Sequence, residues 1–329
     1  MSTEPPLSMQ PLSVRRIGVV VVTYHPEGDL EARLARMSPQ GGELVVVDNA
    51  SGPEIRHHLE SICSRKGWEL IANAENLGVG VALNQGLTRM TKRGFEWVLF
   101  FDQDSEPLEG MSERMMESMR RHPQSGKVGI VGAAFEERKT GRCHRFLRSH
   151  PQISLFFQKV KPIDNDLPEV SCVITSGSLV RVAAAAEVGG FEEALFIDYV
   201  DTDFCLRCRQ RGWLAMVSAA ARFGHELGQR ESRQWCGIEM QPTHHSALRH
   251  YFIARNRISM WRRHAAAEPH WALYDLCFAF YNGFRVLAFE SARWRKFKAM
   301  VFGTWDGLFG RMGPCPERRL RVLEIPASR

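Results

Sequence analysis

Two acidic clusters about a hundred residues apart, Asp102-Gln103-Asp104 and Asp201-Thr202-Asp203, carry the chemistry that this chain displays most openly. The first follows the apolar run Trp97-Val98-Leu99-Phe100-Phe101, which predicts a buried strand. Carboxylates at such a strand end project from the carboxyl edge of a sheet, where open α/β folds bind ligands. Two aspartates at i and i+2 suit a hard divalent cation that also carries diphosphate oxygens. Simple loop capping is the competing role. In the second cluster, Asp201 sits near the N-cap of a predicted helix and Asp203 in its first turn, where the helix dipole favours negative charge. That placement accounts for both acids structurally. The chemical alternative makes Asp201 a general base for an attacking hydroxyl.

Other candidates gather at strand ends. Thr23-Tyr24 and Asp48-Asn49 terminate adjacent predicted strands, and Thr23 backbone groups with the Asp48 carboxylate suit a nucleobase edge. Asp48 serves equally well as a cap for the following segment. Asn76-Leu77-Gly78-Val79-Gly80 joins a strand to a helix that carries Asn84 and Gly86, so its glycines let a phosphate or sugar approach the backbone. No G-x-G-x-x-G follows the first strand, which argues against a dinucleotide cofactor. His225 becomes of interest as a metal ligand beside Asp104, and Asp198 lies in an extended run just before Asp201. Cys205 and Cys208 fall inside a helical pattern without a second pair at zinc spacing, so they are expected to be structural thiols.

The elements that must position these residues alternate. Strands are predicted at 17–23, 43–48, 68–73, 96–101 and 128–135, a β-prone stretch at 170–182 interrupted by Ser176-Gly177-Ser178, and a last strand at 213–217. Helices are predicted at 30–37, 79–90, 183–188 and 202–211, and 138–150 reads as a basic surface excursion. Apolar strands alternating with helices imply an α/β fold, a mostly parallel sheet covered on both faces. Beyond Ser246 the chain reads as helical. The expected division is therefore a flexible leader at 1–14, an α/β domain at 15–245 and a helical extension at 246–329. The leader lacks a secretory apolar core, so a cytoplasmic location is expected.

The ordered set Val-Val-Thr23-Tyr24, Val-Asp48-Asn49, Asn76-Leu-Gly78 with Asn84-Gln-Gly86, Asp102-Gln-Asp104 and Asp201-Thr-Asp203-Phe-Cys-Leu-Arg207 resembles the family 2 inverting glycosyltransferases of GT-A fold. The resemblance spans about residues 15–228. Phe101 to Ser105 and Phe196 to Asp201 resemble the rhamnosyltransferase branch, and Ala254-Arg255-Asn256 with Trp305-Asp306-Gly307 extends it into the tail. It implies a Rossmann-like sheet, a dTDP-L-rhamnose donor and Mg2+ or Mn2+. By this likeness Thr23, Tyr24, Asp48, Asn76, Gly78, Asn84 and Asp102 bind the nucleotide sugar, and Asp104 and His225 bind the metal. Asp201 is the base, and Ser176, Gly177, Ser178, Phe191, Asp198 and Asp203 face the acceptor or sugars. Many relatives carry Glu-Asp where this chain has Val200-Asp201, so any part played by that glutamate is missing here.

The likeness implies rhamnosyl transfer to a rhamnosylated lipid, converting a mono-rhamnolipid to a di-rhamnolipid. A polyprenyl-diphosphate-linked surface glycan is the second acceptor, and a noncatalytic nucleotide- or lipid-binding partner in a synthase complex is the reading of another class. Intact Asp102, Asp104 and Asp201 argue against the last. Between Arg249 and Arg321 stand fourteen Lys/Arg against five Asp/Glu, interleaved with aromatics, while the first 248 residues hold 28 against 31. Such a tail suits the cytoplasmic face of the inner membrane, or packing of tail helices, or contact with a partner glycosyltransferase. Nucleic acid is not expected, because the basic residues lie away from the probable site and no recognition module is evident.

Overall fold

The β-branched run Ile17–Thr23 forms β1 and is buried along its whole length. A strand with both faces covered has no polar side to alternate. The computed structural model describes residues 16–137, 144–225, 233–235, 238–240 and 245–323, with side chains described at 16–135, 144–224 and 245–323. The leader lies outside them. From β1 the chain runs through α1 (Leu30–Met37), β2 (Glu43–Asp48), α2 (Pro53–Lys66), β3 (Glu69–Ala72), α3 (Val79–Lys92) and β4 (Trp97–Asp102). These four strands are parallel in the order β3-β2-β1-β4. Their register puts Thr23 opposite Asp48, and Val22 opposite Asp102, at one sheet edge. Helix α3 lies close on the sheet because of Gly86, where a Cβ would sit 2.3 Å from the Val20 side chain.

The chain continues with β5 (Glu106–Pro107), α4 (Met111–Arg121), β6 (Val128–Glu137), β7 (Phe146–Ser149), β8 (Phe157–Val160), β9 (Leu167–Val170), β10 (Ser178–Arg181), α5 (Val182–Val188), α6 (Val200–Gln210) and β11 (Leu214–His225), β7 and β8 pairing only with each other among the described residues. The full order is β3-β2-β1-β4-β10-β6-β11-β5, with β9 on β11. Only β10, β5 and β9 run antiparallel to their neighbours. The sheet is therefore mostly parallel, as the alternation implies.

The stretch 170–182 is interrupted as expected: strand ends at Val170 and resumes at Ser178, with Gly177 turning the chain at a φ of +71°. Two local expectations change. The strand expected at 213–217 runs on to His225 through a register shift between Ser218 and Arg222. Phe146 and Leu147, inside the expected surface excursion, are core residues, and 138–143 lie outside the described residues.

Contacts divide the chain into two compact units. The first holds residues up to Arg148, Lys159–Glu192 and Asp201–Glu226; the second holds Ser149–Gln158, Glu193–Val200 and Leu227–Arg329. In the second unit lie α7 (Ala247–His264), α8 (Pro269–Phe289), α9 (Arg293–Leu308) and α10 (Glu317–Val322). Helix α9 touches the α7 backbone: a Cβ at Gly303 would lie 2.2 Å from the Tyr251 carbonyl, and one at Gly307 2.5 Å from that of Arg255. Buried Asp306 accepts from Tyr251 Oη at 3.0 Å, Arg311 at 3.0 Å and Arg319 at 2.9 Å. Asp275 of α8 accepts from Arg257 and Trp261 of α7, both at 2.9 Å. Burial pushes the Glu290 carboxyl up, but contact with His250 and with Lys296, 2.8 Å away, outweighs it and holds the group down to about 2. Among the described residues no helix is long and apolar enough to cross a membrane.

Candidate active site

The turn after β4 alternates anchored and presented residues. Gln103 exchanges two hydrogen bonds with the Tyr24 backbone, accepting from its N–H at 2.7 Å and donating to its carbonyl at 3.1 Å. Buried Ser105 pairs with the Ser176 hydroxyl, which also accepts from the Asp102 N–H at 3.2 Å. Ser105 N–H closes the turn on the Asp102 carbonyl at 3.1 Å. With Gln103 and Ser105 tied down, Asp102 and Asp104 are left half-buried at the sheet edge. Next in the chain, β5 pairs with β11 through Gly224 and Glu106. That last pair stands one residue before His225 and two residues after Asp104 in the chain. The His225 side chain lies outside the described residues.

Asp48 is only 1% exposed. Its oxygens accept from Thr23 Oγ1 at 2.9 Å, from the Ser51 N–H at 3.0 Å and from the Ser51 hydroxyl. The acid thus caps its own loop, not the start of α2, whose N-cap Gly52 makes no side-chain bond. A carboxylate has about four acceptor directions, so three of them are taken up within the protein. Thr23 is fully buried, whereas Tyr24 is exposed.

Behind this edge an amide network holds the Gly78 loop. Asn49 Oδ1 accepts from Leu77 N–H at 3.0 Å and Asn73 Nδ2 at 3.1 Å, and Asn49 donates to Asn76 Oδ1 at 2.9 Å. Asn76 Oδ1 also accepts from the Gly78 N–H at 2.9 Å, and Asn73 pairs with Gln85. Gly78, at φ +87°, immediately precedes α3. Gln103, Asn49, Asn73 and Gln85 are positioning residues that sequence reasoning passed over. The repeated Asn/Gln in the motif loops was the available signal, since an amide donates from its nitrogen and accepts at its oxygen at once.

The expected acceptor-facing set needs correction. Phe191 is buried with its ring 4.4 Å from that of Phe204 and 5.3 Å from that of Phe100. Its backbone exchanges hydrogen bonds with Asn84 at 2.8 and 2.9 Å, so Asn84 pins this loop instead of presenting its amide. A Cβ on Gly190 would lie 2.6 Å from Asn84 Oδ1, which is why glycine stands there. Ser176 and Ser178 are buried, with Ser178 Oγ donating to the Thr175 carbonyl at 2.7 Å. At Gly177 a Cβ would meet the Phe223 ring at 2.6 Å. The side chains of Phe191, Ser176 and Ser178 are thus buried in the fold.

The second acidic cluster splits into two kinds of acid. Asp203 is 0% exposed and bonds Arg207 Nε at 2.7 Å; Arg207 in turn donates to the carbonyls of Val188 at 2.5 Å and Gly190 at 2.8 Å. It is an architectural ion pair between α6 and the Gly190 loop. Asp201, half-buried in the first turn, accepts from its neighbour Thr202 N–H at 2.7 Å and keeps solvent access. Within the same helix Cys205 and Cys208 are buried, and burial pushes the Cys208 thiol up to about 12. Both are inert apolar fillers, as expected.

Asp198 belongs to the second unit. Arg249 Nε and Nη2 grip its carboxylate at 2.9–3.2 Å. Its segment holds three non-glycine residues at positive φ, Phe196, Asp198 and Tyr199. Asn256 Nδ2 fixes it by donating to the carbonyls of Leu195, Ile197 and Asp198 at 2.7–3.1 Å. Buried Arg255 adds a bond to the Leu195 carbonyl at 2.9 Å. This is the physical use of Arg255-Asn256, and the chain passes from that strained segment directly into Asp201.

The donor set at the β4 edge is hard carboxylate oxygen, the chemistry a divalent cation requires. Among the described residues no group of three or more His, Cys, Asp or Glu forms a complete protein cage. Such a set fits a cation held by one or two carboxylates and completed by phosphate oxygens.

Residues 18–189, which carry β1 to β10 and the β4 edge, match the family model for glycosyl transferase family 2. The chain belongs to that family. It is a glycosyltransferase of GT-A-like fold with a C-terminal helical region. This glycosyltransferase is 28% identical over 299 residues to dTDP-rhamnosyl transferase RfbF of Shigella flexneri, covering 90% of this chain and 97% of the relative. It is 24% identical over 285 residues to the N-acetylglucosaminyl-diphospho-decaprenol L-rhamnosyltransferase of Mycobacterium tuberculosis (strain ATCC 25618 / H37Rv), covering 78% and 88%. The crystal structure of GalNAc-T7 with UDP, GalNAc and Mn2+ superposes with a TM-score of 0.53 at 12% identity, over 82% of this chain and 58% of that one. That likeness is one of fold.

Proposed function

We propose that this glycosyltransferase moves L-rhamnose from dTDP-L-rhamnose to a hydroxyl of a lipid-linked glycan, with inversion, at the cytoplasmic face of the inner membrane. The observation that carries it is that Asp102 and Asp104 at the β4 edge and Asp201 at the start of α6 are all half-buried at element ends within one compact unit. The names of the two rhamnosyl-transferring relatives support the donor.

Asp48, Thr23 and Tyr24 receive the nucleotide base, and the Asn76–Gly78 loop receives its phosphates or sugar. Asp102 receives the donor sugar or ribose, and Asp104 with His225 would hold Mg2+ or Mn2+, which would neutralise charge on the diphosphate. Asp201 takes the proton of the acceptor hydroxyl as its oxygen attacks the anomeric carbon. The bond to the diphosphate breaks on the opposite face, dTDP departs, and a β-linked donor yields an α-L-rhamnoside.

The sequence favours a mono-rhamnolipid acceptor. The diphospho-decaprenol in one relative's name favours a polyprenyl-diphosphate-linked glycan equally. The test offers dTDP-L-rhamnose with each acceptor, with Mg2+ or Mn2+ and then with chelator, and reads product mass. A metal-dependent gain of one deoxyhexose on either lipid is the expected result. Absence of both product and dTDP binding would overturn the donor.

A further inference from the structure

We propose that the exposed aromatic faces of α8 and α9 seat this protein on an anionic lipid bilayer. The inference deepens the lipid-linked acceptor reading, and its test needs no transfer reaction. In α8 the usual arrangement of a water-soluble helix is reversed. Asp275, Asn282 and Arg285 are buried, while Leu276, Phe280 and Phe284, four residues apart, stand exposed, Phe280 at 74%. The polar residues that interrupt this sequence as an apolar stretch therefore all turn inward, and the outer stripe is unbroken.

Helix α9 repeats the reversal. Lys296 and Asp306 are buried, whereas Trp294, Phe297, Val301, Trp305 and Leu308 form an exposed stripe, Trp294 at 70%. Both stripes look away from α7, because Gly303 and Gly307 of α9 and Asp275 of α8 are the sides that meet it. Exposed apolar faces of this extent mark an interaction surface.

Charge identifies the occupant. Of the five acids between Arg249 and Arg321, four (Glu268, Asp275, Glu290 and Asp306) are buried, leaving Glu317 exposed. Exposed Arg293, Arg295 and Lys298 interleave with Trp294 and Phe297 at the start of α9. Aromatic rings at the acyl boundary with cations against anionic headgroups are the pattern of an interfacial helix.

The test floats the full chain with vesicles of phosphatidylglycerol and phosphatidylethanolamine, and separately with phosphatidylcholine alone. Binding to the anionic vesicles is expected, and Phe280→Ser with Trp294→Ser should weaken it by about tenfold or more without moving the melting temperature. Arg293→Glu with Lys298→Glu should remove the preference for anionic lipid. Bromine-labelled acyl chains should quench the wild-type tryptophan fluorescence. Failure to float, equal flotation of the serine variant, or no quenching would overturn the proposal. So would a dimer in light scattering that the serine variant dissociates, since the face would then belong to a second copy. Transfer without vesicle binding would sink this inference alone; vesicle binding without transfer would sink the proposed function alone.

Discussion

Phe100 and Phe280 carry the same side chain into opposite surroundings. Phe100 lies at the centre of the sheet in β4, fully buried, with Asp102 two residues further on at the open edge. Phe280 stands in water on α8, with Asn282 two residues further on buried beneath it. The sheet unit is thus sorted mostly in the common sense, apolar inside with Asp102 and Asp104 half-buried at the edge, although Asp48 and Asp203 are buried on hydrogen-bond partners. The helical unit hides Asp275, Glu290 and Asp306 and displays its aromatics. The difference teaches how to read an acid here. A fully buried carboxylate bound to an arginine or lysine is architecture; a half-buried one at a strand or helix end keeps the solvent exposure that the proposed chemistry needs. The same rule separates Asp203 from Asp201 within a single helical turn.

The largest effect that can break the comparison is at Asp306. Its removal by Asp306→Ala leaves Arg319 and Tyr251 without their buried partner, and should cost the helical unit about 3–5 kcal/mol in denaturant unfolding. Next is Phe100→Ala, which opens a cavity in the sheet core and should also cost about 3–4 kcal/mol. Phe280→Ala should change stability by less than about 0.5 kcal/mol, because no packing is lost at an exposed site. Similar losses at Phe100 and Phe280 would show that α8 is packed in the ordinary way.

The parallel half of the fold was legible because β1, β2 and β4 are unbroken apolar runs that end in polar motif residues. Helix α2 was missed since its charged sequence shows little apolar periodicity, and α4 was passed over despite Met111, Met115, Met116 and Met119 on one buried face. In the site, the positions of Asp102, Asp104 and Asp201 could be read from the ends of their elements. The partner of Asp203, Arg207, stands only four residues on, whereas the structural duties of Phe191 and Asn84 could not be read, because they depend on partners about a hundred residues away. Likewise, Asp275 and Arg285 looked like interruptions of an apolar stretch until their inward direction was known.

The most direct test of the central claim compares neighbouring acids, Asp201→Asn and Asp203→Asn, in transfer from dTDP-L-rhamnose, dTDP binding and thermal melting. Asp201→Asn should lower turnover by about 10²–10⁴-fold with dTDP affinity and melting temperature intact. Asp203→Asn should instead lower the melting temperature, with activity retained by the folded fraction. Near-normal turnover in Asp201→Asn, or loss of turnover in an undiminished Asp203→Asn fold, would contradict the assignment of the base.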